Sequence, residues 1–181
     1  MKNYFIYAVV LLFSAVSFGQ EINWMSMDEA LAAQKKEPRK IMMDVYTDWC
    51  GPCKLLDKRT FRNADVAAYV NEHYYAVKFN AEGNSKVSYK GKTYTNPGYD
   101  PARKGKRNSN HELTNYLRIQ GYPSIVFFDE ASELLVPLTG FLNPQQLELY
   151  LKLFVEDAHK KITTREDFQN YQKTFTPEFK G

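Results

Sequence analysis

Residues 44–54 are Asp-Val-Tyr-Thr-Asp-Trp-Cys-Gly-Pro-Cys-Lys and contain two cysteines that are separated by two residues. This stretch overlaps a short apolar run over residues 41–46, which is typical of a buried central strand. A helix that begins at the two cysteines is predicted to run to residue 61. The thiol of Cys50 then lies at a helix N-terminus, where free N–H groups and the helix dipole favour the reactive thiolate. Cys53 lies one turn further along and can close a bridge.

The number and spacing of the cysteines indicate that this pair is reactive and is not a structural disulfide. The chain has 2 cysteines, and a bridge across two intervening residues removes little entropy from the unfolded chain. Half of a zinc site is the alternative, but zinc needs two further ligands. The histidines, at 73, 111 and 159, show no ligand spacing and are expected to be surface or structural residues. We therefore expect no metal, and the absence of a glycine-rich phosphate loop predicts no cofactor.

The overall composition favours one globular domain. The chain has 181 residues, of which 44% are hydrophobic and 25% charged. Its formal net charge of +3 is too small to indicate a nucleic-acid partner. A monomer is expected.

The N-terminus has the layout of a secretory signal peptide. Lys2 precedes an uncharged apolar run over residues 4–16, and Ser17 and Gly19 are small residues spaced for cleavage after Gly19. The run is short for a membrane span, although an uncleaved anchor is the alternative. We expect residues 1–19 to be removed, which predicts a periplasmic or secreted protein with no stable membrane span.

The remaining elements predict an α/β fold whose central sheet is covered on both faces. Helices are predicted over 23–34, 63–74 and 144–154, and strands over 75–80, 124–129 and 134–139. Ser26 with Glu29 forms a capping-box pattern in the first of these helices. These elements form a domain over residues 20–155. A C-terminal helical extension, 156–181, follows, and Thr164 is predicted to cap its helix.

Residues 83–115 are an insertion rich in Gly, Asn, Lys and Tyr. Lys90-Gly91-Lys92 is predicted to turn a small hairpin, and Ser109 with Glu112 to cap a short helix that ends at Leu117. The segment is either a solvated surface insertion or a partner-docking or lid segment, because long loops inside a compact domain are usually functional or disordered.

The motif Trp-Cys-Gly-Pro-Cys-Lys at 49–54 resembles the active site of the thioredoxin family, and 121–124, Gly-Tyr-Pro-Ser, resembles its cis-proline loop. The resemblance covers about residues 24–155 and is interrupted by the insertion. It implies a thioredoxin fold, with a central mixed β-sheet flanked by helices and an insertion before the cis-proline loop. It also implies that a cis Pro123 leaves the backbone of Tyr122 free to pair with an extended substrate.

The resemblance assigns roles to individual residues. Trp49, Gly51 and Pro52 join Tyr122 and Pro123 as the substrate-binding surface. A redox-active disulfide joins Cys50, the exposed nucleophile, to Cys53, the resolving thiol.

Asp44 and Lys78 match an acid and a lysine that the family places behind the second cysteine. An acid in an apolar strand is expected to have a raised pKa and to move a proton for Cys53. The alternatives are a strand-end Asp44 that faces water and a solvated Lys78.

Residues 54–71 are similar to the exported thioredoxin-like branch, which includes the C-terminal domains of periplasmic disulfide reductants. This similarity implies a thiol–disulfide oxidoreductase that reduces protein disulfides and receives electrons from another protein. A disulfide oxidase or isomerase and a non-catalytic binding or chaperone module are the alternatives.

Overall fold

The structure, a computed structural model, describes residues 21–181. The predicted signal peptide, 1–19, lies outside the described residues. In chain order the elements are β1 Trp24–Met25, α1 Met27–Gln34, β2 Lys40–Tyr46, α2 Gly51–Leu56, a π-helical turn Asp57–Phe61, α3 Ala64–His73, β3 Tyr74–Asn80, β4 Val87–Tyr89, β5 Lys92–Tyr94, a 3-10 turn Pro101–Arg103, α4 Glu112–Tyr116, β6 Ser124–Phe128, β7 Leu134–Thr139, α5 Pro144–Val155, a 3-10 turn Ala158–Lys161 and α6 Arg165–Thr174.

The main sheet has five strands in the order β1-β3-β2-β6-β7. Strands β1, β3 and β2 are parallel, whereas β6 is antiparallel to both β2 and β7. The mixed sheet confirms the predicted fold class. In the central strand β2 every residue from Lys40 to Val45 is buried, which explains its continuous apolar pattern.

The two faces of the sheet are covered by different layers. Because side chains alternate along a strand, Met42 packs with α3 and α5, whereas Ile41 and Met43 pack with α1 and the insertion. Asp44 shares the parity of Met42 and therefore lies on the face that carries α2. The parallel register places it directly opposite Lys78 of β3.

The predicted helix over 23–34 begins too early. Its capping box is present, because the Ser26 side chain accepts the N–H of Glu29, and the helix starts at Met27. The two preceding residues form β1, in which Trp24 pairs with Ala76 at the sheet edge. Pairing with a distant strand therefore overrides the local helical pattern here.

The insertion is more deeply packed than a solvated surface segment. The predicted hairpin is confirmed as β4 and β5, and Lys90 and Gly91 adopt the positive φ values that such a two-residue turn requires. Three of its side chains, Val87, Tyr89 and Tyr94, are buried in the α1-side core. The hairpin therefore extends the core layer.

The predicted cap of the short helix in the insertion is wrong. His111 occupies the cap position, and its Nδ1 accepts the N–H of Leu113 at 3.1 Å. The hydroxyl of Ser109 instead donates to the Asn96 side chain at 2.8 Å. His111 is fully buried and is a structural residue.

The C-terminal extension packs back onto the domain. Thr164 caps α6 as predicted, and Phe168 and Tyr171 lie against the α5-side core. The fully buried carboxylate of Glu148 accepts the N–H groups of Glu178 and Phe179, at 2.9 Å for the latter. This contact holds the tail after α6 against α5.

Candidate active site

Cys50 and Cys53 form a disulfide at the start of α2, with their Cα atoms 5.3 Å apart. Cys50 is the N-cap residue, and the N–H of Cys53 donates to its Sγ at 3.1 Å. Pro52 fits the first turn, where no N–H is needed. In the reduced protein the same N–H and the positive end of the helix dipole would stabilise a Cys50 thiolate.

The exposure predicted for Cys50 is wrong. Cys50 is 2% exposed and Cys53 is 6% exposed. The neighbouring Trp49 packs edge-on against Tyr122, with ring centroids 6.2 Å apart, and lies beneath Arg107 of the insertion. Because Trp49 immediately precedes Cys50, these contacts lie beside the disulfide.

The loop before β6 has the predicted cis peptide between Tyr122 and Pro123. The carbonyl of Pro123 accepts the N–H of Gly140 at 2.8 Å. Within residues 21–181, no hydrogen bond to the Tyr122 backbone is found, so both of its polar groups are free for a partner strand. The side chain of Tyr122 is half-buried. Burial, together with the charge of Glu82, raises the pKa of its hydroxyl to about 12. The same hydroxyl lies 3.3 Å from Asn110 Oδ1.

Asp44 is a buried acid, 2% exposed, on the face of β2 beneath α2. Its Oδ2 lies 2.8 Å from Lys78 Nζ. Burial raises the pKa of its carboxyl, and the nearby ammonium of Lys78 offsets only part of that effect. The structure therefore brings together the acid and the lysine that the sequence suggested, and neither faces water as an isolated residue.

Lys78 is shared between two acids. Its Nζ lies 3.0 Å from Asp57 Oδ1 as well as contacting Asp44, and it lies 4.6 Å from the centre of the Trp24 ring. Burial disfavours its charge, but the two carboxylates outweigh burial and raise the pKa of its ammonium. Asp57 was missed in the sequence, although its position four residues after Cys53 places it on the same helix face.

A cavity of about 450 Å³ connects this acid cluster to the second cysteine. Its lining residues are Asp44, Tyr46, Thr47, Asp48, Cys53, Lys54, Asp57, Lys58, Arg62 and Lys78. Cys53 and Asp44 therefore line one cavity that is wide enough for water. The arrangement can move a proton between the resolving thiol and a buried carboxylate.

Next to Cys50, Trp49 contacts Glu82, the residue that precedes the insertion, and Arg107 within it. The indole N–H of Trp49 donates to Glu82 Oε2 at 2.7 Å, and the same oxygen accepts the N–H of Asn108 at 2.8 Å. The Arg107 guanidinium lies 4.5 Å from the centre of the Trp49 ring. No sequence pattern indicated that Glu82 or Arg107 contacts Trp49, because these contacts depend on the path of the insertion.

Among residues 21–181, no group of three or more metal-capable side chains is arranged to hold an ion, and no helix combines the length and apolarity of a membrane span.

Comparisons with known proteins agree with this geometry. The family model of the thioredoxin-like domain matches residues 27–154. The thiol:disulfide interchange protein DsbD of Pectobacterium atrosepticum is 28% identical over 143 residues, which cover 78% of this chain and 20% of that protein. The chain thus spans about a fifth of the length of this curated relative.

Solved structures show the same fold. A thioredoxin-fold protein from Helicobacter pylori matches with a TM-score of 0.60 at 15% identity, covering 87% of this chain and 91% of that one. A thioredoxin from Thermus thermophilus matches with a TM-score of 0.54 at 17% identity, covering 74% and 87%. With its family match over residues 27–154, its mixed sheet and its Cys50–Cys53 pair at the start of α2, the chain belongs to the thioredoxin-like domain family.

Proposed function

We propose that this chain is an exported thiol–disulfide oxidoreductase that reduces disulfides of partner proteins. The observation that carries the proposal is the position of Cys50, which caps α2 and accepts the N–H of Cys53 at 3.1 Å. A sulfur in this position is more stable as a thiolate than a free cysteine, and the thiolate is the attacking form.

The reaction has two steps. In the first, the Cys50 thiolate attacks one sulfur of the partner disulfide, which forms a mixed disulfide and releases the other partner sulfur as a thiolate. In the second, the Cys53 thiolate attacks Cys50 Sγ, which closes the Cys50–Cys53 bridge and releases the remaining partner thiolate. Two electrons pass from the dithiol to the partner, and its released thiolates take up protons.

Asp44 supports the second step as a proton acceptor. Cys53 must lose its proton before it attacks, and Asp44 lines the same cavity. Burial raises the pKa of Asp44, so it approaches the pKa of a thiol more closely than an exposed carboxylate does. Lys78 holds the acid in place through the 2.8 Å contact.

The partner binds along the cis-proline loop. The free N–H and C=O of Tyr122 are suited to hydrogen bonding with an extended segment that carries the disulfide, as in strand addition. Trp49 and the exposed Gly51 and Pro52 border the same edge. Backbone pairing would position a partner sulfur in line with Cys50.

The proposed direction of electron transfer and the proposed export of the protein rest on sequence patterns. The Gly-Pro pair between the cysteines resembles that of reducing thioredoxins, and residues 1–19 have the pattern of a signal peptide. An oxidising compartment would reoxidise the dithiol, so the proposal includes a protein electron donor.

The low exposure of both cysteines favours a second candidate. A thioredoxin-fold binding or chaperone module would keep its bridge closed, and Cys50 is only 2% exposed. In that case a Cys50→Ser, Cys53→Ser variant would retain all activity of the protein.

The test compares both directions of exchange. Reduced protein is mixed with an equimolar folded protein that has one accessible disulfide, and oxidised protein is mixed with the same partner in reduced form. The mixtures are then quenched with acid and their free thiols are alkylated. The extent of alkylation gives the redox state of each protein.

The proposal predicts that electrons flow to the partner in the first mixture and that little reaction occurs in the second. Rapid oxidation of the partner in the second mixture would instead identify an oxidase. No exchange in either direction, with the bridge intact in reductant, would favour the binding module.

A further inference from the structure

A cluster of four cations lies on the insertion beside the disulfide. Residues 103–107, called the basic loop from here on, contain Arg103, Lys104, Lys106 and Arg107, and all of them are exposed. Within residues 21–181, none of the four forms an ion pair with a carboxylate of this chain. Their charge is therefore available to a partner.

The basic loop is anchored at the active site. Arg107 lies over the Trp49 ring at 4.5 Å, and the next residue, Asn108, donates its N–H to the Glu82 carboxylate that also accepts the indole N–H of Trp49. Trp49 immediately precedes Cys50. The basic loop is thus held against the residue that precedes the attacking cysteine.

The acids near the basic loop do not cancel its charge. Arg103, Lys104 and Lys106 line a cavity of about 350 Å³ together with Asp48 and Glu82. Glu82 is buried and accepts two N–H groups, and Asp100 accepts the N–H of Ala102. Asp48 and Asp100 are exposed, and Glu82 keeps its charge while it accepts these N–H groups, so the four cations outnumber the three neighbouring carboxylates.

We propose that the basic loop selects partners whose reactive disulfide lies in an acidic segment, with Asp or Glu on either side of the cysteine. This inference rests on the proposed function, since it names the substrate class of the same site. Carboxylates beside the partner cysteine would contact Arg103, Lys104 and Lys106 while its sulfur meets Cys50. Complementary charge of this kind raises the rate of encounter and suppresses wrong partners.

The experiment measures single-turnover reduction of three peptide disulfides by the pre-reduced full chain. The peptides share the same residues directly next to cysteine and carry flanks of Glu, of Lys or of Ser. Each second-order rate constant is divided by the rate constant for dithiothreitol with the same peptide, which corrects for the effect of the flanks on the peptide thiol. No electron donor is needed, because the protein reacts once.

We expect the Glu-flanked peptide to react about tenfold faster than the Lys-flanked one at low salt, the low end of the range for electrostatic steering. The ratio should approach one as salt shortens the screening length to about 3 Å at roughly 1 M. In a variant with Arg103→Gln, Lys104→Gln and Lys106→Gln, the ratio of the two corrected rate constants should fall close to one. Arg103→Glu with Lys106→Glu should invert it.

The matched control removes three cations elsewhere. Lys35, Lys36 and Lys173 are exposed and form no ion pair among the described residues. Their change to Gln alters the net charge by the same amount and should preserve the ratio. Equal loss in the control would show that net charge, and not the basic loop, sets the preference, which overturns the inference.

The remaining outcomes separate the two proposals. If all three peptides are reduced at equal corrected rates, the proposed function stands and the acidic-partner inference is wrong. If none is reduced, the proposed function itself fails. If the ratio is one and the protein instead cosediments with vesicles of anionic lipid through the basic loop, the surface contacts membranes and the inference is again wrong.

Discussion

The two sides of the Cys50–Cys53 bridge are built from charges in opposite settings. On the acid side, beside Cys53, Asp44 is 2% exposed and paired with Lys78 at 2.8 Å. On the insertion side, beside Trp49, the basic loop is exposed and its cations are unpaired within the described part of the chain. Buried charges can shift pKa values and move protons, whereas exposed charges act at a distance and are screened by salt. We therefore expect the acid side to take part in proton transfer and the insertion side to take part in partner recognition.

The largest effect is expected from the cysteines themselves. Cys53→Ser removes the resolving thiol, so turnover should stop and the mixed disulfide between Cys50 and the partner should accumulate in stoichiometric amount. Mass spectrometry of the acid-quenched reaction under non-reducing conditions measures it. Cys50→Ser is the control and should form no adduct. An adduct on Cys53 in that control would reverse the two roles, a result that the slightly greater exposure of Cys53 makes worth testing.

The acid side should govern the second step alone. Asp44→Asn is expected to slow the decay of the mixed disulfide by roughly 100-fold, within the range for a positioned proton acceptor, and to leave its formation nearly unchanged. Rapid-quench kinetics at neutral pH separate the two steps. Asp57→Asn is the matched variant, because Asp57 contacts the same lysine but is 36% exposed, and its effect should stay below tenfold. Equal effects of the two variants would contradict a special role for the buried acid.

Because of Asp44, the free energy of unfolding should decrease as pH rises. Burial raises its pKa in the folded state above the ordinary value of 3.8. The folded state is therefore most favoured below the unfolded pKa and loses stability as pH rises through the folded pKa. Asp44→Asn should remove this loss, so the variant should be more stable than the wild type at neutral pH and equally stable in acid.

Lys78→Gln should act in the opposite direction. Because Lys78 lowers the pKa of Asp44 in the wild type, its removal should raise that pKa further and cost about 3 kcal/mol of unfolding free energy at neutral pH, as for a broken buried pair. Urea unfolding of the wild type and both variants across pH measures these differences. A loss of stability in Asp44→Asn at neutral pH would contradict the expected sign of the pH dependence.

The smallest effect is expected on the insertion side. Glu82→Ala leaves the Trp49 indole N–H and the Asn108 N–H without their acceptor, which should cost about 1 kcal/mol of unfolding free energy. The freed Trp49 should also admit small reductants, so dithiothreitol should reduce the bridge faster. Stopped-flow fluorescence of Trp49 in a Trp24→Phe background reports both effects.

Glu82→Gln is the conservative control. It keeps a carbonyl oxygen that can accept the same two N–H groups, and it should behave like the wild type in both readouts. If Glu82→Ala leaves the rate of reduction unchanged, the insertion does not limit access to Cys50, and the contrast between the two sides becomes weaker.

The sequence predicted what depends on local signals. The helix that starts at Cys50, the strand of Asp44 and the hairpin turn at Lys90 are encoded by spacing and by residue type near each position. The cis peptide at Pro123 was implied by the resemblance of residues 121–124 to the cis-proline loop of the thioredoxin family. The contact between Lys78 and Asp44 forms because the register of β2 and β3 places the two residues opposite each other.

The remaining features depend on contacts between distant segments. Trp24 joins a sheet edge through pairing with Ala76, more than fifty residues away. The contacts of Glu82 and Arg107 with Trp49 follow from the path of the insertion. Local patterns carry no information on such packing, so only the structure shows that the insertion reaches the active site.

The reduction potential of the Cys50–Cys53 couple is the decisive measurement for the proposed reduction of partner disulfides. The protein is equilibrated in buffers of reduced and oxidised glutathione, or of dithiothreitol where glutathione is too weak, and the fraction of free thiols is measured after alkylation. A reductase of this type is expected near about −270 mV, the value of thioredoxin. A value near about −120 mV, that of a strong oxidant, would mean that the protein makes disulfides in its partners and would refute the proposed direction of electron transfer.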